Sequence, residues 1–390
     1  PVITTSAATL AANGTLTING FGFDGTTLAN NTVELSSGTG TATGATATTL
    51  TVTFDTVPTA GALTATVEVG DPLSITALPT SASVTVATIR PAVTSSAVDL
   101  AAGASTITLN GFGFNATTPG ANIVAFNNGV TGTVTGATAT SLTVTFGTAP
   151  TTVGSLTATV TSNGVISGSL IQVATVKPAV TSSTAELGIT ASIIVINGFG
   201  FGSTIATNRV TFSSGAAGNV TSASSTQLTV TFTTKPTSLG SVTATVTANS
   251  IAGEANIQVA TVSPVITAST TDLLATAETL VINGFGFDTT PGNNTVVLSN
   301  GAIGAVTAAT ATTLTVAFTT KPKAGDLTAS VVVNGTSNSA IQVATVKPVV
   351  TSSVASLAGS ATTLVINGFG FDATGVNTVQ FNNGAAGTVA

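Results

Sequence analysis

Leu50 to Phe54 reads Leu-Thr-Val-Thr-Phe, with an apolar residue at every second position and Thr between. The same run returns at Leu142 and Leu228, and as Leu-Thr-Val-Ala-Phe at Leu314. A second alternating run, Leu-Thr-Ala-Thr-Val, starts at Leu63 and Leu156, with close variants at Val242 and Leu327. A period of two sends Leu, Val and Phe to one face and Thr to the other, which predicts half-buried β-strands. The β-branched content agrees with that reading. Further short strands are expected at Thr15–Phe23, Asn122–Phe126 and Asn208–Phe212, and in the closing runs such as Val173–Val176. Between them lie turn signals rich in Gly, Asn, Ser and Pro, as in Thr233–Gly240. No segment of ten or more residues carries the 3.6-residue period of an amphipathic helix.

The strands recur as a set. Asn-Gly-Phe-Gly-Phe begins at Asn19, Asn110, Asn197, Asn283 and Asn367, at intervals that shorten from 91 to 84 residues. Each repeat opens with a proline followed by two apolar residues and Thr, at Pro1, Pro91, Pro178, Pro264 and Pro348. A period this long marks tandem domains rather than a solenoid. Units are expected at 1–90, 91–177, 178–263, 264–347 and, incomplete, 348–390. About seven short strands in each full unit predict an all-β chain, a tandem array of immunoglobulin-like β-sandwiches forming an elongated rod.

Pro-x-(Ile/Val)-Thr, then Ile-x-Gly-x-Gly-Phe, then Asn-x-Val-x-Phe, then Thr-x-Leu-Thr-Val-x-Phe and a closing strand together resemble the IPT/TIG domain. The resemblance covers four units and the first half of a fifth. It implies immunoglobulin-like modules of the kind found as tandem arrays on bacterial surfaces, where they serve as stalk, linker or binding module. It also implies that the last Gly-Phe pair of each motif (Gly22-Phe23, Gly113-Phe114, Gly200-Phe201, Gly286-Phe287, Gly370-Phe371) is the core element. The first Phe of each motif occupies a position that varies in the family and is often polar.

Composition removes most chemistries. The chain has 390 residues and no His, Cys, Met, Trp or Tyr, and only 5% of it is charged. Without His and Cys, the commonest general acid-base group, the thiol nucleophile, the zinc-thiolate site and the disulfide are all absent. No enzyme and no cofactor is expected. The net charge of −6, with no basic run, argues against a nucleic-acid partner. The acids are scattered without a calcium-loop pattern. No apolar stretch reaches about 18 residues, so no membrane span is expected. The chain opens at Pro1 in register with the repeat, as a processed product or a window on a longer polypeptide would.

Three readings compete for Asn19–Phe23. A phosphate loop needs a following helix and a Lys-Ser/Thr, and neither follows. A disordered Phe-Gly repeat lacks dense flanking strands. The architectural reading remains: Asn-Gly supplies positive φ where the strand bends, and the glycines let backbone pass closely. All 17 Phe fall at repeat stations, ten in these motifs, so no aromatic is reserved for a unique site. One Phe of each motif is expected in the core. The other (Phe21, Phe112, Phe199, Phe285, Phe369) is expected to reach the domain end and pack on the adjacent unit.

The joints contain no Gly-Ser linker. Pro91, Pro178, Pro264 and Pro348 fix φ and bias their predecessors toward extended backbone, which predicts stiff joints. Units of about 35–40 Å, from strands of six or seven residues plus loops, would make a rod of roughly 170 Å. The residues before these prolines are Arg90, Lys177, Ser263 and Lys347. A Lys-Asn isopeptide crosslink needs a Lys and a buried acid in every unit. The Lys is missing from two stations and no acid recurs, so these are expected as solvated joint charges. On the Thr15–Phe23 strand and its equivalents the outward position holds Thr17 and Thr108, then Val195, Val281 and Val365. Repeat drift explains the change, and so does a lateral contact with another copy, which low surface charge would assist. The fifth unit stops before its later strands. Half a sandwich cannot bury a core, so the chain is expected to continue, or another copy to donate the missing strands. Asn-x-Thr triplets such as Asn115–Thr117 and Asn334–Thr336 are frequent by chance in so Thr-rich a chain.

The leading expectation is a structural protein, an extracellular fibre, stalk or sheath at the cell surface whose partners are other copies of itself. The alternative is an adhesin stalk or binding module with its surface ligand held by the variable loops Asp24–Asn31, Asn115–Asn122 and Gly202–Asn208, or elsewhere.

Overall fold

The computed structural model of the chain describes residues 1–70, 78–373 and 377–389. In the first unit the strands are β1 (Val2–Ile3), β2 (Thr9–Ala11), β3 (Leu16–Phe21), β4 (Asn31–Leu35), β5 (Thr39–Ala45), β6 (Thr49–Thr56), β7 (Gly61–Val69) and β8 (Val84–Arg90). They form two sheets, ordered β1-β3-β6-β5 and β2-β8-β7-β4. The pairings are antiparallel except β2 with β8, which run parallel. The next three units repeat both orders, with a small extra ribbon between the seventh and eighth strands, Val165–Ile166 in the second unit. This division of strands between two facing sheets is that of an immunoglobulin-like sandwich. The chain is therefore all-β, a tandem array of such sandwiches. Among the described residues no helix is long and apolar enough to cross a membrane.

The alternation in the sequence is the alternation of the sheets. In β3, Leu16, Ile18 and Gly20 face inward while Thr17, Asn19 and Phe21 face out. In β6, Leu50 and Val52 are fully buried and Thr53 is exposed. Each unit closes its own core, that of the second built from residues such as Leu109, Phe114, Leu142, Val144, Leu156 and Val176. Tilted aromatic pairs, Phe126 with Phe146 and Phe212 with Phe232, fill one end of two cores, with centroids 5.5 and 5.4 Å apart.

The strand β5 was not legible as a run. Its inward register holds only small residues, with Ala42 the buried one, and its partner register slips between Ala42 and Gly44. A bulge of this kind breaks the period-two signal.

A buried Asn pins the loop after each of the first four motifs. Asn122 accepts the Asn115 N–H at 2.9 Å and donates to the Asn115 and Pro119 carbonyls at 2.9 and 3.2 Å, while the buried Ser162 hydroxyl donates to it at 2.9 Å. Asn31, Asn208 and Asn294 repeat the arrangement, and Asn377 repeats its bonds to Asp372. Inside the first of these loops, N–H and hydroxyl donors led by the Thr27 N–H hold the Asp24 carboxyl well below the usual carboxylate range. Asn122→Ala would strand buried donors and acceptors, at a cost of about 1–3 kcal/mol each. The expected result is a second unit that melts ahead of the other three in thermal unfolding followed by hydrogen exchange.

The fifth unit departs from the expected pattern. Among its described residues the only strand pairing is Val349–Val350 with Gly368–Phe369. Val365, expected on a strand, lies outside any strand and is 80% exposed. In the four complete units this stretch pairs with the Leu-Thr-Val-x-Phe strand, which the segment does not contain.

Candidate functional site at the joints

The repeated motif sits at the end of β3 and its equivalents, and in the second to fifth units it faces the preceding unit. Its first glycine is a close-approach position. A Cβ on Gly20 would lie 2.2 Å from the Val2 carbonyl oxygen and 2.6 Å from the Phe23 ring. The positive φ expected at Asn-Gly falls instead on the second glycine: Gly22, Gly113, Gly200, Gly286 and Gly370 have φ of 74 to 79°. The first glycine stays in the strand ladder, paired with Ile3 in the first unit, so the bend comes between the two Phe. That bend sends the second Phe inward. Phe23, Phe114, Phe201 and Phe287 are at most 5% exposed.

The first Phe of each motif stays out of its own core. Phe112 packs against the core of the first unit. The Phe199 ring lies over Gly103 of the second unit, where a Cβ would come within 2.9 Å of it. Lys321 of the fourth unit stands 6.0 Å from the centroid of Phe369. Phe285 is 47% exposed, and Phe21, in the first unit, is 65% exposed.

Around these rings the joints share a plan and differ in detail. A Cβ on Gly113, Gly200 or Gly370 would fall 2.6 Å from that of Ala12, Ala102 or Ala275 in the preceding unit. At the third joint the bulkier Ile189 and Leu239 face Gly286, and Leu239 packs on both adjoining cores. The first and fourth joints carry a backbone bond as well: the Ala60 N–H donates to the Gly113 carbonyl, and the Ala324 N–H to Gly370, each at 3.0 Å. Asn163 adds a side-chain bond to the Ala60 carbonyl at 2.9 Å. Pro91, Pro178 and Pro264 are buried in the joints and Pro348 is exposed. No cis peptide bond occurs among the described residues.

One prediction of the sequence fails here. An acid does recur beside the joint, at the first residue of the β2-type strand: Asp99, Glu186 and Asp272, with Thr9 in the first unit. Lys177 pairs with Asp99 at 2.5 Å and Lys347 with Asp272 at 3.4 Å. Glu186 accepts the Ser263 hydroxyl of its own unit and the Ser339 hydroxyl of the next, both at 2.9 Å. The station is hard to read because Asp, Glu and Thr alternate in it and its partner lies some 75–80 residues away. These acids are exposed, and exposed pairs contribute about 0–1 kcal/mol.

Val195 and Val281 lie on the outer face of their sheets, 47% and 53% exposed, opposite Thr229 and Thr315. Ile193 beside Val195 is exposed as well. Among the described residues no group of three or more acids gathers in a metal-binding arrangement. The arrangement as a whole offers packing, hydrogen bonding and exposed ion pairs at the joints.

No protein-family model matches the sequence, and no curated protein does. Among solved structures the chain is similar to the extracellular region of plexin A4, at 12% identity over 98% of this chain and 40% of that one, with a TM-score of 0.21. It is similar to Sidekick-1 immunoglobulin domains 1–4, at 13% identity over 88% of this chain and 97% of that one, with a TM-score of 0.18. It is also similar to the insect immune protein hemolin, at 11% identity over 89% of this chain and 100% of that one, with a TM-score of 0.19. The chain thus spans well under half the length of the plexin chain. The fold assignment rests on the strand orders and registers given above.

Proposed function

We propose that this chain is a load-bearing segment of an extracellular bacterial fibre, stalk or sheath, divided at 1–90, 91–177, 178–263, 264–347 and 348–390, with other copies of itself as partners. The observation that carries this reading is the parallel pairing of the second strand with the last in each complete unit. In the second unit Asp99–Ala101 lies beside Thr175–Lys177. The bonds at its two ends run from the Thr175 N–H to the Val98 carbonyl at 2.9 Å and from the Ala102 N–H to the Lys177 carbonyl at 2.8 Å. The first, third and fourth units repeat the pair. Tension along the chain enters at the start of a unit and leaves at its last strand. Parallel neighbours pulled from opposite ends slide past each other, so their bonds are loaded together rather than peeled one at a time.

The joints support the same reading. A last strand ends at Arg90 and the next begins at Ala92, with only a buried proline between. The resemblance to tandem bacterial surface modules supports a location outside the cell, and the exposure of Val195, Val281 and Val365 supports lateral contacts between copies. Electron microscopy of the native material tests this. The expected image is a continuous filament beaded at about 35–40 Å, the length of one sandwich, with several chains abreast. Isolated rods that each end in a distinct globular tip would overturn the fibre and favour an adhesin stalk.

A further inference from the structure

We propose that the cleft between the first and second units binds a small oxyanion, of the carboxylate or sulfate class, through Arg90. The station before the joint proline has a partner in the β2-type strand of its own unit wherever that strand begins with an acid. Lys177 and Lys347 have their aspartates, and in the third unit, where serine replaces the base, Ser263 binds Glu186. The first unit breaks this pattern. Thr9 stands where the acid would be, and among the described residues Arg90 has no ion pair and no side-chain hydrogen bond.

The space beside it is open and polar on one side. A cleft of about 220 Å³ is lined by Arg90, Ala11, Ser167, Gly168, Ser169 and Ile171. Gly168 has φ of 113°, and a Cβ there would lie 3.4 Å from Arg90 Nη1, so the guanidinium edge faces bare backbone. Among the described residues the N–H groups of Gly168 and Ser169 donate to no partner. Arg90 from one unit and Gly168 and Ser169, with two unbonded backbone donors, from the next thus line one cleft. Guanidinium matches a two-oxygen anion through paired, charge-assisted bonds. A bound anion would tie the last strand of the first unit to the ribbon of the second.

The chain has only two arginines, Arg90 and Arg209, so arginine-selective ¹⁵N labelling of the full chain gives two Nε–H signals. Arg209 lies exposed on a strand and serves as the internal control. With sulfate and, separately, acetate as probes, the Arg90 signal is expected to follow a saturable curve that Arg209 does not. In Arg90→Gln no saturable shift should remain. A shift of Arg90 that follows protein concentration alone, with no saturable response to sulfate or acetate, overturns the small-oxyanion site. Parallel, unsaturable drift of both signals overturns the proposal, and does so whether or not the chain forms a fibre.

Discussion

Phe201→Ala is expected to cost about 3–5 kcal/mol, the usual loss for deleting a buried aromatic side chain, and to unfold the third unit ahead of its neighbours. Phe199→Ala, two residues earlier in the same motif, is expected to leave that unit nearly as stable. The difference comes from the bend at Gly200. Phe201 is 4% exposed and belongs to the core of its unit, whereas Phe199 is 44% exposed and lies over Gly103 of the second unit. Removing the Phe199 ring uncovers the joint without opening a cavity in either core. The chain contains no cysteine, so labels can be placed without interference. Spin labels at Thr145→Cys and Thr231→Cys, both exposed on strands of the second and third units, report the angle between them. A broader distance distribution in Phe199→Ala, with the melting profile retained, is the expected pair of results. An unchanged distribution would show that the ring has no part in the joint.

That contrast also marks what sequence can and cannot say. The strands Asn122–Phe126 and Asn208–Phe212 appear in the structure at their expected bounds, because an alternating run with one buried face permits a single register. In the four complete units the second Phe of the motif is buried, as the family-like Gly-Phe pair implies, whereas Phe371 of the fifth, expected in a core, is 38% exposed because the strands that would cover it are not in the segment. The placement of positive φ on the second glycine is not legible, because both glycines are required and only the strand ladder reveals which one bends. The strand Thr39–Ala45 hides behind its bulge and its small residues. The acids at Asp99, Glu186 and Asp272 hide for another reason. Their partners come from the far end of the unit, and parallel pairing leaves no mark in a local window.

Parallel pairing is also where the largest mechanical effect is expected. Pulled by its ends, the chain should give four unfolding events of similar high force, one for each closed sandwich. Leu100 sits in the middle of the three-residue strand that pairs with Thr175–Lys177. Leu100→Pro removes a backbone donor from that strand and should move one of the four events to clearly lower force, leaving three in place. Leu100 also packs against the core of its unit, so Leu100→Ala is needed to isolate the loss of side-chain contact. The alanine variant should lower equilibrium stability with a smaller loss of force, because forced unfolding follows the barrier rather than the equilibrium free energy. Four unchanged events in Leu100→Pro would mean that load passes through other strands, such as the antiparallel pair of Ala92–Val93 with Gly111–Phe112. Equal loss of force in both variants would assign resistance to core packing. Either result would remove the parallel pair of second and last strands as the reason to regard this array as load-bearing.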